Sequence, residues 1–209
     1  MEKFVRLTGI AAPLLKANID TDTIAPGARP ATSGQPRPFS ERGIDLKRNL
    51  FAGLRYDEED RELPGFVLNQ MPYRRARFLI AGPNFACGSS RETACWMLSD
   101  FGIRCVIAPS FGEIFYDNCF KNGMLPVILP IGAVDALARE APKGEFNADL
   151  EAKIITPPSG QFVAFDLPEF LRQRLLLGQD EVDTTLTLAD RIDQFQNKDR
   201  MDRPWVYPS

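Results

Sequence analysis

Between Phe78 and Leu129 short apolar runs alternate with stretches of helical composition, and this alternation limits the possible folds more than any other feature of the chain. Phe78-Leu79-Ile80-Ala81 is bounded by Gly82-Pro83-Asn84, which predicts a buried strand followed by a turn. Cys87-Gly88-Ser89-Ser90-Arg91-Glu92 then opens a helical stretch from Thr93 to Phe101. The pattern repeats in outline, with a strand at Cys105-Val106-Ile107-Ala108, a helix from Phe111 to Phe120 stopped by Asn122-Gly123, and a strand from Leu125 to Leu129. Strands that alternate with helices favour an α/β layered core.

The flanks are consistent with this. Residues 3–16 alternate loosely between polar and apolar positions and supply an opening strand, after which Asn18-Ile19-Asp20-Thr21-Asp22-Thr23 forms a polar corner. Residues 25–45 carry Pro26, Pro30, Pro36 and Pro38 among glycines and arginines without periodicity, the composition of a long mobile loop. A helix is expected near 132–140. The runs Leu150 to Thr156 and Phe162 to Phe165 read as a hairpin across Pro157-Pro158-Ser159-Gly160. Strands on both sides of the helices give a β/β/α arrangement, followed by C-terminal helices near Pro168 to Leu177 and Leu188 to Phe195. With 209 residues, 44% of them hydrophobic, the chain suits one domain over residues 1–200 and a polar tail over 201–209.

Several functional classes are disfavoured. A net charge of −3 offers no general attraction to nucleic acid, and Asp57-Glu58-Glu59-Asp60 reads as a solvated loop. No run approaches the roughly 18 apolar residues of a membrane span, and the first residues do not form a signal peptide, so a cytoplasmic protein is expected. Cys87, Cys95, Cys105 and Cys119 lack the close pairing of most zinc and iron–sulfur sites and read as buried, reduced thiols. There is no histidine, so any acid–base chemistry must use other groups or borrow them.

The chemistry concentrates at Ser89-Ser90-Arg91-Glu92. With Ser89 as N-cap and Glu92 at the third helical position the segment is a capping box, and capping alone accounts for both residues. Unpaired amides at a helix start, together with the guanidinium fork of Arg91, would also form a site for a small carboxylate. Cys87 beside the helix start raises the alternative of a thiol nucleophile, whose base would have to be Asp20, Asp22 or Glu113.

Three blocks carry a family resemblance: Asn18-Ile19-Asp20-Thr21-Asp22, Gly82 to Glu92, and Ile114-Phe115-Tyr116-Asp117-Asn118-Cys119-Phe120-Lys121-Asn122-Gly123-Met124-Leu125-Pro126. They occur in order at familiar spacing, with further similarity at Arg55-Tyr56-Asp57 and Phe66-Val67-Leu68-Asn69. From about residue 3 to 197 the chain resembles isopropylmalate dehydratase small subunits, whose fold is the aconitase swivel domain. The resemblance implies a hydro-lyase of leucine biosynthesis that isomerises 2- and 3-isopropylmalate by dehydration and rehydration. It implies a large-subunit partner, in a heterodimer or heterotetramer, that holds a 4Fe-4S cluster, so that no metal is expected on this chain. It also implies Ser89 as an alkoxide-type catalytic base, with Ser90, Arg91 and Asp22 binding the hydroxy-carboxylate substrate. Specificity would lie in the stretch from Gly27 to Asp45, where Arg29, Arg37 and Arg42 could meet further carboxylates.

The chain also departs from the family. Its members read Gly-Cys-Gly-Ser-Ser-Arg-Glu-His-Ala where this chain has Ala86 and Thr93 in place of the first glycine and the histidine. Glycine at the first position would permit a positive φ or a close backbone approach. On a helix Thr93 stands about 200° from Arg91, which puts the exchanged histidine on another face. The loop after Asp22 also reads Ile24-Ala25-Pro26-Gly27 in place of the family's Ile-Pro-Lys run. These departures keep open a paralogous hydro-lyase for another 2-hydroxy di- or tricarboxylate and a non-catalytic carboxylate-binding module, while Cys87 keeps open the cysteine-dependent hydrolase.

Overall fold

The computed structural model describes residues 1–27, 45–88 and 92–207. Its seven strands are β1 (Arg6–Leu14), β2 (Ala76–Ala81), β3 (Cys105–Ala108), β4 (Leu125–Ile128), β5 (Glu145–Asp149), β6 (Ile154–Thr156) and β7 (Val163–Ala164). They form one sheet in the order β4-β3-β2-β1-β5-β6-β7. β1 is the pivot, parallel to β2 on one side and antiparallel to β5 on the other. The β4-β3-β2-β1 half is parallel, and the β5-β6-β7 extension is antiparallel.

The helices are α1 (Thr21–Ile24), α2 (Leu46–Asn49), α3 (Ala52–Arg55), α4 (Thr93–Phe101), α5 (Glu113–Lys121), α6 (Ile131–Glu140), α7 (Glu169–Leu177), α8 (Glu181–Leu186) and α9 (Ala189–Asp202). Strand side chains alternate between the two faces, as a period of two requires. Phe78, Ile80, Cys105, Ile107, Leu125 and Val127 enter one core, closed by Val134 and Leu137 of α6 and by Leu171 and Leu175 of α7. Leu79, Ala81, Val106 and Ala108 enter the other, closed by Ala94, Cys95, Leu98 and Phe101 of α4. Because both faces are covered, the central strands read as continuous apolar runs rather than as alternation.

The expected α/β alternation is therefore present, with β3, α4 and α5 close to their anticipated bounds. Elsewhere the details differ. Leu150 does not begin a strand: Asp149 Oδ1 accepts from the Ala152 amide at 2.9 Å, and Lys153 takes a φ of +54°, so residues 150–153 turn between β5 and β6. β5 was not anticipated, although Glu145-Phe146-Asn147-Ala148-Asp149 does alternate between exposed and buried positions. α8 was also missed. It starts on a reciprocal cap in which Asp180 and Asp183 each accept from the other's amide. α9 continues to Asp202, well past Phe195, through a sequence too polar to reveal its period.

The segment that follows the proline-rich stretch is clamped from inside. Buried Arg55 donates from Nε to Asn69 Oδ1 at 3.0 Å and from Nη1 to the Lys47 carbonyl at 2.7 Å, while Asn69 Nδ2 returns a bond to the Arg55 carbonyl at 2.7 Å. The guanidinium lies over the Phe101 ring at 5.3 Å, which ties this segment to α4. Burial pushes the Arg55 pKa down from its ordinary value. The loop expected over residues 25–45, with Arg29, Arg37 and Arg42, falls mostly outside the described residues.

Candidate active site

The carboxyl ends of β1, β2 and β3 meet in one corner, the region where parallel α/β sheets ordinarily receive ligands. The loop 83–88 is its centre and is bonded on both sides. Toward β1, Asn18 N donates to Pro83 O at 3.0 Å, Ala86 N to Ile19 O at 2.6 Å and Thr21 N to Cys87 O at 2.9 Å. Toward β3, Phe85 N donates to Ser110 O at 3.0 Å, Gly112 N to Phe85 O at 2.8 Å and Asn84 N to Ser110 Oγ at 2.8 Å. Beneath the loop, Phe85 meets Phe115 edge-on at 5.6 Å and Phe111 at 6.4 Å, contacts worth about 0.5–1.5 kcal/mol each beyond burial.

Two glycines explain why the backbones can come so close. A Cβ on Gly112 would stand 2.4 Å from the Ala86 carbonyl oxygen. Gly88 has a φ of +98°, which side chains of L residues rarely allow, and it lies against Asp20 and Thr21. Ala86 occupies the left-handed region at a φ of +56° and is buried. The positive φ that the family's glycine would permit is thus retained with a methyl group in place, at a cost on the order of 1–2 kcal/mol.

Asp20 and Asp22 have different roles at this corner. Asp20 caps α1, its Oδ1 accepting from the Thr23 amide at 2.7 Å. Hydrogen bonds from Thr23, through the side chain first and then the backbone, hold its carboxyl below the usual carboxylate range. Asp22 sits in the first turn of α1 with its side chain at the surface.

Ser89, Ser90 and Arg91 lie outside the described residues, and so does the serine half of the expected capping box. The other half is corrected by the structure: α4 begins at Thr93, so Glu92 is its N-cap rather than its third residue. The 200° offset between Thr93 and Arg91 assumed one helix through both and reaches beyond the described residues. Glu92 Oε1 accepts from Asn122 Nδ2 at 2.8 Å, Asn122 Nδ2 also reaches the Asn118 carbonyl, and Trp96 Nε1 donates to Asn122 Oδ1 at 3.0 Å. Asn122 therefore pins the start of α4 to the end of α5. In the sequence Asn122 reads only as a helix stop, because Asn-Gly explains a C-terminus without help.

Cys95, Cys105 and Cys119 are buried free thiols, and Cys87 is partly buried, which fits the structural reading of the cysteines. Burial pushes the Cys105 and Cys119 thiols up, away from the thiolate form. Among the described residues no three His, Cys, Asp or Glu side chains are grouped so as to hold a metal ion, and no helix is long and apolar enough to cross a membrane.

Residues 1–131 match the aconitase C-terminal domain, the class of α/β domain that this sheet and its corner define. Across 209 aligned residues, 99% of this chain and all of the relative, the sequence is 47% identical to the 3-isopropylmalate dehydratase small subunit of Roseobacter denitrificans. It is 48% identical to the protein of the same name in Rhodospirillum centenum, over 99% of each chain. The chain belongs to the 3-isopropylmalate dehydratase small-subunit family. The crystal structure of 3-isopropylmalate dehydratase (leuD) from Methanocaldococcus jannaschii superposes with a TM-score of 0.59, covering 92% of this chain and 98% of that one. At 24% identity this likeness concerns the fold.

Proposed function

We propose that the chain works in the cytoplasm as the small subunit of a 3-isopropylmalate dehydratase, isomerising 2- and 3-isopropylmalate in leucine biosynthesis together with a large subunit. The observation that carries this reading is the end-to-end identity of 47% and 48% to relatives bearing that name.

Removing a proton beside a carboxylate builds negative charge, which must be stabilised as it develops. Ser89 is the proposed base and takes that proton on its Oγ. Arg91 grips a substrate carboxylate through its bidentate fork, Ser90 adds a hydrogen bond, and Asp22 faces the substrate from the α1 corner. A 4Fe-4S cluster on the large subunit supplies a Lewis acid for the substrate's hydroxyl and carboxylate. The protonated, enclosed thiols of Cys105 and Cys119 fit a cluster held on the partner. Chain connectivity supports the grouping. The loop that leads into this segment ends at Gly88, which lies against Asp20 and Thr21 in the turn that carries Asp22. Ala86 holds a positive φ of the kind a glycine at this position would permit, so its methyl group does not bar that backbone conformation.

Co-expression with the cognate large subunit, anaerobic purification and assay with 2-isopropylmalate is expected to give turnover that neither chain gives alone. Ser89→Ala is expected to lower kcat by about 10²- to 10⁴-fold without loss of complex. A cluster-loaded complex inactive on isopropylmalate but active on another 2-hydroxy di- or tricarboxylate overturns the substrate. Inactivity on all of them overturns the enzyme reading.

A further inference from the structure

We infer that the C-terminal arm, residues 181–207, is the element by which this chain docks onto its large subunit. The arm is ordered without being packed. α8 buries no residue, and the fourteen residues of α9 bury only Asp199, whereas the nine residues of α4 bury five. What holds the arm together is internal: Asp199 accepts from Arg203 Nε at 2.7 Å and from the Tyr207 hydroxyl at 2.9 Å, and Arg200 lies over the Tyr207 ring at 5.3 Å. A helix of this length is marginal in water unless an amphipathic face is packed against something.

That face is present. Leu188, Ile192 and Phe195 recur at helical spacing and line a groove with Tyr207, edged by Arg191 and Gln196. Val182 and Leu186 of α8 and Trp205 and Val206 of the returning turn are also bare, with exposures from 49% at Val206 to 77% at Trp205. Exposed apolar patches rimmed by polar residues mark protein–protein interfaces. An apolar centre with a polar rim is the composition of such a surface.

The comparisons favour a large subunit over a second copy of this chain as the occupant. The aconitase-type domain match ends at residue 131, whereas the alignments with proteins named small subunits run through 99% of the chain. The arm therefore lies in the part shared among separate small subunits, outside the matched domain. A separate chain must hold its partner through surface contacts, and the apolar groove of the arm lies at the surface. This inference rests on the proposed two-chain enzyme.

The test is the affinity of the full-length chain for its purified cognate large subunit, measured by sedimentation or calorimetry. Leu186→Asp combined with Phe195→Asp changes two residues that are each 63% exposed. The pair is expected to weaken association at least tenfold while the melting temperature of the isolated chain stays within about 2 °C. If the variant melts lower than that, Trp205→Ser on the returning turn takes its place under the same criterion. Affinity within twofold of the parent overturns the arm as the docking element and leaves the two-chain reading standing. A parent chain that does not bind the large subunit overturns the two-chain reading itself. An isolated parent that sediments as a dimer, with a monomeric variant of unchanged large-subunit affinity, identifies a second copy as the occupant and overturns the inference.

Discussion

The corner at the ends of β1, β2 and β3 and the arm formed by α8 and α9 solve opposite problems. In the corner, the six residues 83–88 are bonded to neighbours on both sides and rest on aromatic rings. In the arm, twenty residues of helix bury a single side chain, and that one is held by the arm itself. A segment that must hold reacting groups in place gains from being over-determined, since small misplacements cost large factors in rate. A segment that completes its packing only against another molecule keeps its apolar face bare. The same chain can therefore be rigid where chemistry is proposed and unfinished where association is proposed.

The sharpest way to break this contrast is Gly112→Ala. The added Cβ would stand 2.4 Å from the Ala86 carbonyl oxygen, a backbone atom that can move only if the bonds of the 83–88 loop give way. The expected loss is about 3 kcal/mol, the upper end for overpacking, or roughly 9 °C in melting temperature for a chain of this size. Thermal and urea unfolding check it. A loss under ~1 kcal/mol would mean that the corner yields readily and is not the rigid half of the comparison.

Much of this rigid half could be read from residue order alone. β2, β3 and α5 announce themselves through apolar runs and stop signals, because burial on both faces leaves an unmistakable composition. The corner's residues were found as motifs, but their separate functions were not. Asp20 and Asp22 look equivalent in Asp-Thr-Asp, and only the hydrogen bond from Thr23 to Asp20 separates the cap from the exposed carboxylate. Asn122 was hidden because a local explanation, the helix stop, left nothing over to suggest its bonds to Glu92 and Trp96. The arm was hardest to read: α8 is six residues held by a reciprocal cap, and α9 is largely charged, so hydrophobic periodicity says little about either.

Asp20→Ala sharpens the comparison at intermediate size. Removing an N-cap costs about 1 kcal/mol, here from a four-residue helix whose placement depends on its capped end. The sign with pH follows from the lowered pKa of Asp20 in the folded chain. A depressed pKa contributes stability that is fully present above the unfolded value, near 3.8, and is lost as pH falls through the folded value. The gap between parent and variant is therefore expected to be full at pH 7 and to narrow only below about pH 4. Urea unfolding at a series of pH values measures it. A gap that instead narrowed between pH 7 and 5 would assign the stabilisation to some group other than this carboxylate.

Phe195→Ala gives the smallest effect and probes the other side of the contrast. A buried phenylalanine such as Phe85 costs about 3–5 kcal/mol when truncated, because its loss leaves a cavity among atoms that cannot collapse. Phe195 is 63% exposed, so in the isolated chain most of its ring already meets water and little packing is there to lose. The expected change in urea unfolding of the isolated chain is within about 0.5 kcal/mol, the range of ordinary surface substitutions. A loss above ~1.5 kcal/mol would show the ring packed against the chain's own body and would remove the distinction between corner and arm. A near-zero loss in the isolated chain together with weaker association in the complex would separate the two roles, because a residue that stabilises only the assembly has its packing partner on the other subunit.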